Sequence, residues 1–253
     1  MTLLAVERIK LFTTRSPLWC TLAAVAVVVG FAALIAGVDS DNVATIASSQ
    51  FGANFGLMIV MVMAALAITT EYRFGTIRAT FQAIPNRTST LLAKTAVVSV
   101  FAGLIGEVVA FASVAITKLI QSNADLSINT AFEWRATAGL GLVYALAAVI
   151  AIAVGTLIRH SAGAVSILLI YVLLVESLVA LIPNVGDDIQ KWMPFQMANM
   201  FIAGDPDPST RAITEGPPPA TAGLGPWGAL AYFAGFAVVM LVIAIATANK
   251  RDA

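Results

Sequence analysis

Six apolar stretches, each about 20 residues or longer, set the first constraint on what this chain can become. They occupy residues 18–38, 51–70, 91–120, 136–158, 162–182 and 227–248. About 20 helical residues cross the ~30 Å hydrocarbon layer of a bilayer. Lipid offers no partners to backbone N–H and C=O groups, so a spanning segment is a helix or part of a closed barrel. The stretches lack the period-two alternation of barrel strands, which predicts an all-α membrane protein with six transmembrane helices. Charged residues make up 11% of the chain, against roughly 25% in a soluble domain. The first stretch outruns a secretory h-region and follows Glu7, Arg8, Lys10 and Arg15, so a retained span is expected rather than a cleaved signal.

The loops are polarised although the net charge is zero. Arg8, Lys10, Arg15, Arg73, Arg78, Arg87, Lys94, Arg159, Lys250 and Arg251 fall on one side of the predicted membrane. Lys118, Arg135, Lys191 and Arg211 fall on the other, together with most of the acids. Basic residues near span ends are retained on the cytoplasmic side, so both termini are expected in the cytoplasm of a multi-pass protein of the plasma or inner cell membrane. Trp19, Trp134 and Trp227 stand where spans should meet the interfaces. The charge balance gives no reason to expect nucleic acid.

Much chemistry is excluded. The sequence has no Gly-x-x-x-x-Gly-Lys-Ser/Thr phosphate loop, so ATP hydrolysis by this chain is not expected. With His160 the only histidine, neither a His-x-x-x-His zinc pair nor a Ser-His-Asp constellation can form within it. No catalytic residue and no metal ligand is therefore assigned. Cys20 is the only cysteine and reads as packing.

The loop after the second stretch is patterned. Phe74, Ile77, Phe81 and Ile84 recur at helical spacing while Arg73, Thr76 and Thr80 fall elsewhere on the turn, and Pro85 limits the helix. Such a helix can lie on the inner leaflet with its arginines snorkelling, or it can dock into a partner. Glu71-Tyr72-Arg73, Gly75-Thr76-Ile77-Arg78, Pro85 with Arg87, and Leu91-Leu92-Ala93-Lys94 together resemble the membrane subunit of type-two ATP-binding-cassette (ABC) transporters. Trp192-Met193-Pro194-Phe195-Gln196, running on to Phe201, resembles the external Pro-Phe element of the same family.

The resemblance implies a single permease domain over residues 1–253. Residues 1–17 would form an amphipathic elbow, 71–90 a cytosolic coupling loop and 183–226 an extracellular loop with short helices. Ala5, Ile9 and Phe12 on one stripe fit the elbow independently. The ATPase-coupling residues implied are Glu71, Tyr72, Arg73, Phe74, Gly75, Thr76, Ile77, Arg78, Phe81 and Arg87. The partners implied are two copies of a cytosolic ABC ATPase, which would bind ATP and Mg, and a second permease subunit, identical or sister. No cofactor is expected on this chain itself. Export of a drug-, lipid- or peptide-like amphiphile is the implied activity, and the aliphatic spans speak against a sugar path lined with aromatic rings.

Two acids lie inside predicted spans, Glu107 and Glu176. A carboxylate in lipid is costly, so each is expected to face the bundle, a partner or water, either on the substrate path or in an interhelical hydrogen bond. They are also the residues on which an ion- or proton-coupled secondary transporter would depend. A noncatalytic membrane anchor recruiting a soluble partner is the other alternative. Residues 183–226 hold eight of the ten prolines and cannot span.

Overall fold

The computed structural model describes residues 3–38, 44–84, 86–204 and 223–251. Pro85, Asp39, Asp41 and the acids and prolines of 205–222, all used in reading the sequence, lie outside the described residues. Every regular element described is helical. Helix α1 (Leu3–Thr13) leads into α2 (Arg15–Val38), followed by the single turn α3 (Ile46–Ser49) and by α4 (Ala53–Arg73). A short α5 (Thr76–Ala83) precedes the two long helices α6 (Arg87–Ile120) and α7 (Ala131–Ile158). Then come α8 (Ser161–Ile170), a π turn (Tyr171–Val175) and α9 (Glu176–Val179) as one continuous rod. Two short helices, α10 (Gly186–Gln190) and α11 (Pro194–Ala203), come before α12 (Pro226–Arg251).

Six of these assemblies are long and apolar enough to cross a membrane: Arg15–Val38, Ile46–Arg73, Arg87–Ile120, Ala131–Ile158, Ser161–Val179 and Pro226–Lys250. They match the six stretches read from hydropathy. The helices run past the apolar limits at several ends, because a polar residue such as Glu71 or Arg87 does not stop a helix that has a cap or a packing partner. α6 is 34 residues long, or about 51 Å at 1.5 Å per residue, well over the hydrocarbon thickness.

Local chemistry sets the ends. Asn86 caps α6 by accepting from the Ser89 amide at 3.0 Å. Thr130 and Glu133 form a capping box on α7, the Thr130 hydroxyl accepting from Glu133 N and the Glu133 carboxylate from Thr130 N. The His160 imidazole accepts from the Gly163 amide at 3.2 Å, so the single histidine caps α8 in the tight turn after Arg159.

α7 is the axis of the bundle. Two thirds of its apolar window (67%) is buried, against 17% for the α8–α9 rod and 22% each for α2 and α12. Those outer helices turn apolar side chains such as Leu34, Leu174 and Val242 outward, as lipid-facing helices do. Small residues allow the close approach of α6 to α7: a Cβ on Gly106 would stand 2.8 Å from Gly141 Cα and 3.0 Å from Tyr144 Cγ. Tyr144 is fully buried, and its hydroxyl donates to the Ala53 carbonyl at 2.5 Å, tying α7 to the start of α4.

At one end of the bundle, Gln121 locks the loops by donating to Ala36 O at 2.9 Å and accepting from Ala44 N at 3.1 Å. At the opposite end α1, α5 and the terminus of α12 gather, with Asn249 Nδ2 donating to the Thr88 hydroxyl at 3.1 Å. Because the α6 to α7 contact has backbone as its wall, Gly106→Ala should lower stability by roughly 1–3 kcal/mol, read as a fall in the melting temperature of the purified protein. Unchanged melting would mean that the two helices are not in contact there.

Candidate functional site

Four ionisable side chains from three helices meet where α1 lies against α4 and α6. The Lys94 ammonium donates to Glu7 Oε2 at 2.5 Å and to Glu71 Oε1 at 2.9 Å. Lys10 approaches Glu7 Oε1 at 2.9 Å and Glu71 Oε1 at 3.3 Å, completing a ring of two acids and two bases with no net charge. The Glu7 and Lys94 side chains are 4% and 5% exposed, so this contact is a buried ion pair, in which each charge offsets the desolvation of the other. Burial works against the Lys10 ammonium, but the Glu7 hydrogen bond and the Glu71 and Glu7 charges outweigh it and raise its pKa above the usual 10.5. While the carboxylates are ionised, the stabilisation from that shift is whole below about pH 10 and fades as pH climbs through the raised value.

Lys10 also donates to the Thr80 hydroxyl at 3.3 Å, which brings α5 under the same control. α5 starts after Gly75, whose φ of 70° gives the left-handed turn that a glycine adopts without strain. The turn divides the 71–87 segment. Glu71, Tyr72 and Arg73 are the last residues of α4, and Arg87 is the first of α6. Phe74 therefore stands outside the helix and is 72% exposed, although its spacing to Ile77 placed it on the apolar stripe. Ile77 is buried and Phe81 packs against the core, with the Arg87 guanidinium 5.6 Å from the Phe81 ring.

The outward side of this corner carries Arg73, Phe74, Gly75, Thr76 and Arg78, all exposed. Arg73 lies over the Phe74 ring at 5.5 Å. The Arg159 guanidinium lies over the Tyr72 ring at 4.9 Å, so the turn between α7 and α8 borders the same surface. Of the ten residues that the sequence assigns here, Glu71 points into the ion cluster, Tyr72, Ile77, Phe81 and Arg87 hold the corner together, and the other five face out. Lys94 belonged to the motif and Glu7 and Lys10 to the amphipathic segment. Their meeting was not read from the sequence, because it joins residues 87 positions apart.

The two acids of the predicted spans lie on different helices. Glu107 lies midway along α6 against Gly141 of α7, half-buried and with no hydrogen-bond partner among the described residues. Glu176 begins α9 at the opposite end from the ion cluster, is 6% exposed, and accepts from the Phe195 amide at 3.0 Å. Pro194 opens α11 and has no amide hydrogen, so the Glu176 carboxylate serves as a cap supplied from another helix. Glu176 and the Pro194-Phe195 element, identified separately in the sequence, thus form one contact. It borders a cleft of about 510 Å³ that is also lined by Gln50, Asn54, Phe55, Gln196 and Asn199. Gln50 is buried; its Nε2 donates to Ala110 O at 3.0 Å, while its Oε1 has no partner among the described residues.

Removing Lys94 would leave the buried Glu7 and largely buried Glu71 carboxylates with the partly exposed Lys10 as their one remaining cation in the cluster. Lys94→Met should cost roughly 3–5 kcal/mol, seen as a loss of thermal stability, and adding Glu7→Gln should recover part of it. Equal stability of wild type and Lys94→Met would remove the cluster from this account.

No curated protein matches the chain. A family described as "ABC-2 family transporter protein" matches residues 3–175, which takes in α1, the ion cluster, the α5 corner and the first four spans and ends just before Glu176. The match covers more than half of the sequence, and the chain belongs to that family as a multi-pass membrane permease.

Proposed function

We propose that this permease exports an amphiphilic substrate of drug, lipid or peptide type, driven by two copies of a separate cytosolic ABC ATPase, with a second permease subunit completing the path. In this reading the permease holds no cofactor, and ATP and Mg bind to the ATPase. α1 is the elbow on the inner membrane surface, α5 is the coupling helix, and both termini are cytoplasmic. The observation that carries the proposal is the two-sided build of the α5 corner. Its inner side is fixed by Ile77 and by the Lys10 bridge to Thr80, while its outer side offers Arg73, Phe74, Thr76 and Arg78.

Force applied to such a corner passes into the bundle rather than into a slack loop, because α5 shares Lys10 with α1 and α4 and packs into the same core. The basic residues at this end support the orientation. α1 turns Leu4, Ile9 and Phe12 outward while burying Glu7, as suits a helix with lipid on one side and the bundle on the other. The mostly aliphatic lining of the spans supports an apolar substrate surface. The engagement of Glu176 with α11 and the family match favour the ATP-driven reading over the ion-coupled one.

Arg73→Glu and Arg78→Glu should each reduce ATPase copurification and ATP-dependent substrate flux about tenfold, equivalent to about 1.4 kcal/mol, while leaving melting unchanged. Full capture and flux in both variants would refute the coupling role.

A further inference from the structure

The side of α1 turned away from the ion cluster forms, with α6, a groove of about 560 Å³. Its walls are Leu4 and Phe12 from α1 and Val97, Val100, Phe101 and Leu104 from α6, with Phe12 and Phe101 in edge contact at 5.2 Å. Among the ten residues lining it, Arg8 alone is charged. Arg8 is exposed and makes no ion pair among the described residues. The neighbouring acid, Glu7, cannot neutralise it, because its two oxygens are taken by Lys10 and Lys94 on the other side of the helix.

We infer that the groove is a binding site for one anionic glycerophospholipid, with an acyl chain between α1 and α6 and the phosphate on the Arg8 guanidinium. The chemistry fits in three respects. Guanidinium pairs with phosphate through two parallel N–H donors. The apolar walls run along α6 from Ala96 to Leu104, about 12 Å at 1.5 Å per residue, so a chain entering at the level of Arg8 lies along the hydrocarbon. The volume falls within the roughly 300–1,000 Å³ of sites that hold small molecules. Exposed Phe12, Val100 and Leu104 would then be covered, and the lipid would brace α1 from the side opposite the ion cluster.

The site needs no ATPase and no transport activity, so it stands or falls independently of the proposed function. The test is native mass spectrometry of the full chain in mild detergent, titrated with phosphatidylglycerol and with phosphatidylcholine of matched acyl chains. Phosphatidylglycerol should be held about fivefold more tightly, the effect of one basic residue at a membrane surface. Arg8→Ala should reduce it to the phosphatidylcholine level, and Arg15→Ala should keep the preference. Val100→Trp, which fills the groove, should weaken both lipids, and it carries the test if Arg8→Ala does not fold. Equal retention of the two lipids by the wild type, a preference that survives Arg8→Ala, undiminished binding in Val100→Trp, or a dimer that excludes both lipids would each overturn the inference.

Discussion

The neutral ring of Glu7, Lys10, Glu71 and Lys94 is the interaction on which the junction of α1, α4, α5 and α6 depends. Buried ion pairs add little net stability, since desolvation offsets most of the attraction. Their effect is to penalise every arrangement in which one partner is left alone. α1, α4 and α6 can therefore meet in one register only, and Lys10 extends that constraint to Thr80 of α5. Under the proposed coupling role, this kind of specificity would serve the corner more than added stability would.

The remainder of the bundle is arranged around α7 by shape. Gly106 and Gly141 bring two helices into near backbone contact, and Tyr144 fills the space toward α4 while spending its hydroxyl on a carbonyl. In lipid there is little hydrophobic drive between helices, so such close packing and a few buried hydrogen bonds do most of the holding. At the far end the same economy appears in Glu176, which satisfies a first-turn amide of α11 that Pro194 leaves next to a position without a donor.

The spans were legible because bilayer thickness imposes a length and a composition that few other folds share. The corner was legible as a motif, yet its geometry was not: helical spacing placed Phe74 with Ile77, and only the left-handed Gly75 shows that the two belong to different elements. The ion cluster was hidden for a different reason. Its members looked like ordinary loop and elbow charges, and their pairing depends on how α1 folds back on α6, which no local pattern encodes. Glu176 and Pro194-Phe195 were each noticed, but their hydrogen bond spans 19 residues across a helix break. His160 entered the sequence reading only as the single histidine, and the structure shows it exposed and acting as a helix cap, a role with which its place before Ser161 and Gly163 is compatible.

The central claim is that the α5 corner shows one face to the bundle and the other to the ATPase. The most direct measurement is site-specific photocrosslinking in cells, with a photoreactive residue placed singly at Phe74, Arg78 or Glu71, followed by identification of the adducts. The account predicts ATPase adducts from Phe74 and Arg78 and none from Glu71, which faces Lys94. Adducts to lipid alone from Phe74 and Arg78, or an ATPase adduct strongest at Glu71, would contradict it.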